Sequence, residues 1–210
     1  MPLNTTPQAI VALLALGMAL AFIVADRRSP TSRAAALFLA AVGLSIGIGA
    51  QIAYPMHVRG ERYWWDGVFA IPETLAFVFA FEWILRVRRT VPARNLRTRP
   101  ADLQLRVAQA LALVYLLAAL ALPEERARYF TNVEVGTRPL GIPQFWIFAG
   151  PLLASLVLGI ASGLLMLNRR PDRAESIRLV SFAIAAPFMA SGLVLPIEMA
   201  PVTTAVGLLI

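Results

Sequence analysis

The sequence predicts an all-α fold, a polytopic bundle of transmembrane helices with six full spans and part of a seventh. Three observations predict it. Hydrophobic residues make up 59% of the 210 positions and mean hydropathy is +0.70, whereas a soluble domain carries roughly 45–50% apolar residues. Charged residues fall to 15%, against about 25% in soluble domains. The apolar residues also lie in long runs rather than in an alternating or one-sided pattern. Runs near 20 residues select helices, because a barrel strand needs only about 10 alternating residues. In lipid the backbone must then satisfy its own hydrogen bonds.

Taken in order, the apolar runs predict helix 1 over 8–25, helix 2 over 34–54 and helix 3 over 66–86. Helix 4 follows over 105–122, helix 5 over 144–167 and helix 6 over 178–197. The last run, 199–210, is apolar after Pro201 but shorter than the roughly 20 residues a span needs. It reads as the first half of helix 7, with a re-entrant or interfacial tail as the alternative. The first run has no positive flank before it and is followed by Asp26, Arg27 and Arg28. That is the reverse of a signal-peptide charge order.

Orientation is read from the arginines. There is no Lys, so all 19 basic residues are Arg. The 1–2, 3–4 and 5–6 loops hold fourteen of them, among them Arg27, Arg28, Arg86, Arg106 and Arg178. The opposite side holds five: Arg59, Arg62, Arg126, Arg128 and Arg138. The positive-inside rule makes the first side cytoplasmic and puts the N-terminus outside. The net charge of +7 is thereby topological and does not imply nucleic acid. The all-Arg usage fits a GC-rich bacterial genome, so the expected location is the bacterial cytoplasmic membrane.

Composition also excludes chemistry. The chain has no Cys and a single His, so disulfides, thiolate metal sites and a two-His haem clamp are out. A retinal Schiff base needs a Lys. No phosphate loop, metal-ligand cluster or nucleophile triad is present, and no cofactor is expected.

The predicted outer loops are aromatic and acidic. The 2–3 loop holds Tyr54, His57, Tyr63, Trp64, Trp65 and Asp66. The 4–5 loop, Glu124 to Glu134 with Tyr129 and Phe130, leads to Gln144 and Trp146 and is long enough to fold over the helices as a lid. Within helix 3, Glu73 follows Pro72, which loosens the local ladder and can open a pocket. A charge in hydrocarbon costs roughly 3 kcal/mol, so such a residue faces the bundle interior or water. Trp64, Trp65, Asp66, Glu73, Gln144 and Trp146 are therefore the candidate ligand-binding residues, each with interface anchoring or packing as its bland alternative. Glu82 sits one turn from Arg86 and predicts a surface ion pair. Gly43 and Gly47 on helix 2, and Gly159 and Gly163 on helix 5, have the spacing that lets helices pack closely. That spacing predicts packing within the chain before it predicts a homodimer.

The stretch DRRSPTSRAAALFLAAVGLSIGIGAQ resembles the start of the seven-helix sensor region at the N-terminus of many bacterial histidine kinases and nucleotide cyclases. WWDGVFAIPETLAFVFAFEWIL continues the pattern, with a Pro near the outer end and an aromatic lower half. NRRPDRAESIRLVSFAIAAP and LPIEMAP complete it as a basic 5–6 loop and a Pro-containing 6–7 turn that includes Glu198. The resemblance is one of layout over most of the chain. It implies a sensory input domain that passes an extracytoplasmic or intramembrane signal through helix 7 to a cytoplasmic output domain following residue 210. The implied partners are the lipid bilayer, a small-molecule or lipid ligand and that output domain; the family carries no catalytic residues.

GERYWWDGVFAIPETLAFVF is also similar to the P-x-E-E-x-x-F-F helix of membrane lycopene cyclases and related small terpene cyclases. That likeness implies an enzyme protonating an olefin with Glu73. The second carboxylate of the motif is replaced here by Thr74. A passive membrane anchor that only dimerises an output domain is the third reading.

Overall fold

A computed structural model describes residues 6–53, 55–56, 59, 65–89, 99–134, 143–167, 173–189 and 200–209. Among them there is no strand, and there are eight α-helices. They are α1 Thr6–Ala25, α2 Pro30–Ile48, α3 Ala70–Arg89, α4 Arg99–Ala121, α5 Pro123–Glu134, α6 Pro143–Leu167, α7 Arg173–Met189 and α8 Ala200–Leu209. A π-turn, Gly49–Ala53, extends α2, and a 3-10 turn, Asp66–Phe69, leads into α3.

Five helices are long and apolar enough to cross a membrane: α1, α2 with its π-turn, α3 with its 3-10 turn, α4 and α6. α7 contributes a shorter apolar stretch, Leu179–Phe188. The rest of predicted helix 6, beyond Met189, lies outside the described residues. The helices carry exposed apolar side chains of the kind that suits lipid. Leu13, Leu20 and Val24 of α1 point outward, as do Leu103 and Leu117 of α4 and Val157 of α6.

Local chemistry sets the helix starts. The Asp26 carboxylate accepts from the backbone N–H of Arg28 and Ser29 at 3.2 and 3.1 Å, which closes the turn after α1. Ser29 then caps α2 by accepting from Ser32 N–H at 3.3 Å, and Pro30 occupies the first helical position, where no N–H is needed. Pro72 stands in the first turn of α3, directly after the 3-10 turn.

The helices form a closed circuit: α1 packs on α2, α2 on α3, α3 on α4, α4 on α6, α6 on α7 and α7 on α8, and α8 returns to α1. Small residues bring α1 and α2 together: Val11, Ala15 and Ala19 cluster with Ala36, Leu39 and Val42, all buried. Gly43 belongs to this seam, since a Cβ on it would lie 3.0 Å from the Ala12 carbonyl. Gly47 faces the Ala12 methyl group at 3.7 Å. The second pair divides. A Cβ on Gly159 would run into the Phe81 ring, whereas one on Gly163 meets nothing within 4 Å. Gly159 thus makes room for a side chain of α3, whereas Gly163 has no such neighbour among the described residues. Gly159→Ala is expected to lower thermal stability in detergent by about 1–3 kcal/mol, the usual cost of overpacking. Gly163→Ala is expected to hold or raise it, since Ala is the better helix former by about 1 kcal/mol. Parallel melting curves check both.

Candidate functional site

The largest departure from the predicted layout is the 4–5 segment. It contains a helix, α5, joined to α4 through Leu122 alone. The turn is nearly continuous: Leu122 N–H donates to Ala118 O at 2.9 Å, and Arg126 N–H donates to Leu122 O at 3.0 Å. Pro123 starts α5, and Glu124 and Glu125 occupy its first turn, where acidic side chains suit the helix dipole.

α5 brings Arg126 inward. This guanidinium is 2% exposed and is the largest side chain among the fully buried ones. Its Nη1 donates to Asp66 Oδ2 at 2.7 Å and to the Asp66 carbonyl at 3.3 Å. Its Nη2 donates to Glu73 Oε1 at 2.9 Å. Its Nε donates to the Tyr115 hydroxyl oxygen at 3.3 Å, and the Tyr115 hydroxyl itself donates to Glu73 Oε2. The Phe130 ring lies against the guanidinium carbon, 4.5 Å from centroid to Cζ. One arginine therefore ties together the 3-10 turn, α3, α4 and α5. Burial works against its charge, and Glu73, Tyr115 and Asp66 outweigh that effect, so the guanidinium is held above its already high ordinary pKa. Burial alone pushes the neighbouring Tyr129 phenol upward.

The surrounding packing is dry and aromatic. Tyr115, Tyr129, Phe145 and Phe148 form one buried cluster with Ala112, Ala119 and Leu152. The 3-10 turn is pressed onto the end of α4: a Cβ on Gly67 would collide with the Ala119 carbonyl oxygen and stand 2.9 Å from Leu120 Cα. That close approach is what places Asp66 within reach of Arg126.

Of the predicted ligand-binding residues, Asp66 and Glu73 meet on Arg126. Gln144 lies at the margin, where its Nε2 donates to Glu125 Oε2 at 2.8 Å, and Glu125 in turn pairs with Arg128 at 2.6 Å. Trp65 packs edge-on against Phe69, with centroids 5.3 Å apart. Trp146 is 68% exposed and turns away from the cluster. Trp64 lies outside the described residues, as do His57, Tyr63 and Glu198. Arg126 and Tyr115 were the residues that sequence reading missed. In sequence Arg126 reads as one more loop charge, and Tyr115 carries no mark inside its span. The available signal was Arg126 lying three residues after a Pro-Glu helix start, on the same face as Tyr129 and Phe130.

A second polar group lies further along α3. Glu82 accepts from Arg86 Nε at 3.0 Å, as its spacing predicted, and lies 3.9 Å from Arg106. Arg86 also donates to the Pro30 carbonyl at 3.0 Å, and Gln109 bridges Arg106 to the Val78 carbonyl at 2.8 and 3.2 Å. The thirteen residues from Glu73 to Arg86 correspond to about 20 Å of helix, so the two networks occupy opposite halves of the bundle. No known protein family, curated protein or solved structure matches this chain.

Proposed function

We propose that this chain is a membrane-embedded sensory input domain whose responsive element is α5, clasped to the bundle by Arg126. The fourteen-arginine side is cytoplasmic, so α5 and its clasp face the extracytoplasmic side. The observation that carries the reading is the buried Arg126 with its two carboxylates. Apolar packing of the same volume often holds an element as firmly as a buried ion cluster, because burying ions costs several kcal/mol of desolvation each. Of the clasp residues Glu73 lies within a span, and an ionisable residue there reads by default as a functional one.

The mechanism follows from the connections. A signal that favours the undocked arrangement of α5 over the docked one shifts the balance by its differential affinity for the two. α5 touches α4 and α6, and α6 leads through α7 to α8, which bridges back to α1. A change at the clasp thereby reaches α8, whose onward chain enters the cytoplasm. The cyclase reading calls for a carboxylic acid free to donate its proton, whereas both Glu73 oxygens are engaged as acceptors.

Reading the genomic DNA past codon 210 tests this. A frame that runs on through the rest of a span into a cytoplasmic kinase, cyclase or other effector domain supports the input reading. A stop codon directly after Ile210 overturns it.

A further inference from the structure

We propose that the end of the bundle opposite the clasp holds a single anionic phospholipid, its phosphate gripped by Arg33 and Arg86 at the turn between α1 and α2. This goes beyond the sensory reading and does not depend on it.

The turn collects charge that the sequence scatters. Arg27 and Arg28 stand in it, between the end of α1 at Ala25 and the start of α2 at Pro30. Two further arginines are pinned to its backbone. Arg33 of α2 donates from Nε to the Arg27 carbonyl at 2.8 Å. Arg86 of α3, 56 residues from Pro30 in the chain, donates from Nη1 to the Pro30 carbonyl at 3.0 Å. Two carboxylates belong to the group. Asp26 accepts from the backbone N–H of Arg28 and Ser29, and Glu82 pairs with Arg86 at 3.0 Å. Arg27, Arg28 and Arg33 are exposed and pair with no carboxylate among the described residues. Four guanidiniums beside two carboxylates leave an excess of two positive charges.

Pinning shapes the site. An arginine held to backbone through one nitrogen keeps its remaining N–H groups in an oriented fork, the geometry that matches phosphate oxygens. Among the described residues no group accepts from either terminal nitrogen of Arg33, or from Nη2 of Arg86. The two forks come from different helices onto one turn, so a phosphate held by both bridges α2 and α3.

Depth and the apolar flank name the carrier of that phosphate. α1, α2 and α3 are each long and apolar enough to cross a membrane. The turn joining the first two, and the last turn of α3, therefore lie where hydrocarbon gives way to headgroups, whichever way the bundle faces. Leu37 and Leu44 follow Arg33 on the same face of α2, and both are half exposed. Phe22, Ile23 and Val24 lead into the turn on α1 and are exposed as well. A soluble phosphate makes no use of that flank, whereas the acyl chains under an anionic headgroup cover it. Each arginine beside anionic lipid strengthens association about fivefold.

The test uses the full chain in a non-ionic detergent. It is titrated with phosphatidylglycerol or with phosphatidylcholine of identical acyl chains, and bound lipids are counted by native mass spectrometry. The first lipid has a net negative charge and the second has none, so the ratio of their affinities reads the arginines. We expect a preference for the first phosphatidylglycerol of about 25-fold, one factor of five for each excess charge. Arg33→Gln is expected to cut it to about fivefold, and Arg33→Gln with Arg86→Gln to abolish it. Arg59→Gln, which removes the same charge beyond the far end of α2, is expected to keep it. Arg33 is exposed, so the single variant decides the question should the double one fail to fold. Equal affinity for the two lipids overturns the proposal, as does a preference that Arg33→Gln leaves intact or that Arg59→Gln lowers equally. Inorganic phosphate is the third arm. Bound phosphatidylglycerol is expected to survive an equal concentration of it, and displacement would assign the site to a soluble anion and overturn the lipid reading.

Discussion

Replacing Arg126 with Met is expected to destabilise the protein by about 3–5 kcal/mol, the range for removing one partner of a buried ion pair. Met is uncharged and shorter than Arg, so the loss combines the counter-charge to Asp66 and Glu73 with the contact of the guanidinium on Phe130. The decisive comparison is with the triple replacement Arg126→Met, Asp66→Asn, Glu73→Gln. There no charge is left uncompensated, and stability is expected to recover most of the loss, because neutral substitutes for a buried ionic cluster are often no worse than the original. Thermal or denaturant unfolding in one detergent measures all three proteins. A triple variant as unstable as the single one would mean that the clasp acts through shape and not charge.

The second large effect is expected at Gly67. Even one added methyl group meets the Ala119 carbonyl and the backbone at Leu120, and backbone cannot turn aside as a flexible side chain can. Gly67→Val is expected to cost about 2–4 kcal/mol, in the tail of single substitutions where overpacking dominates. The 3-10 turn must lift from α4, and Asp66 moves with it away from Arg126. The signature beyond lost stability is therefore coupling. Measured in the Arg126→Met background, Gly67→Val is expected to cost measurably less than in the unaltered chain, since the contact it disrupts is already absent. Equal costs in both backgrounds would show that the turn and the arginine act independently.

Much of the fold is a local property and was legible for that reason. Apolar runs of span length define α1 to α4 and α6, and the observed bounds lie within six residues of the predicted ones at every end. Asp26, Ser29 and Pro30 are local signals of the same kind, acting over three residues. Glu82 and Arg86 pair across a single helical turn. The segment 123–134 was harder, because it is polar, short and flanked by Pro and Gly. Those features read as loop unless the face that it buries is known.

Glu73 and Asp66 stood out in the sequence because charges beside apolar runs demand an explanation. What they required was a partner, and nothing near them in the chain supplies one. Arg126 lies 60 residues from Asp66 and 53 from Glu73, and in sequence only its helical spacing to Tyr129 and Phe130 sets it apart from the exposed Arg128 two positions on. The two differ only in which side of α5 meets α3 and α4. Trp146 shows the converse: an aromatic residue beside the candidate site in sequence turns outward, because α6 presents Phe145 and Phe148 to the core. Composition and the length of the apolar runs were sufficient to predict helices for lipid, since an unpaired backbone in hydrocarbon leaves the chain few alternatives. The identity of the clasp was decided by tertiary structure alone, because a buried charge is settled by counter-charges from other helices and by the face on which packing seals it.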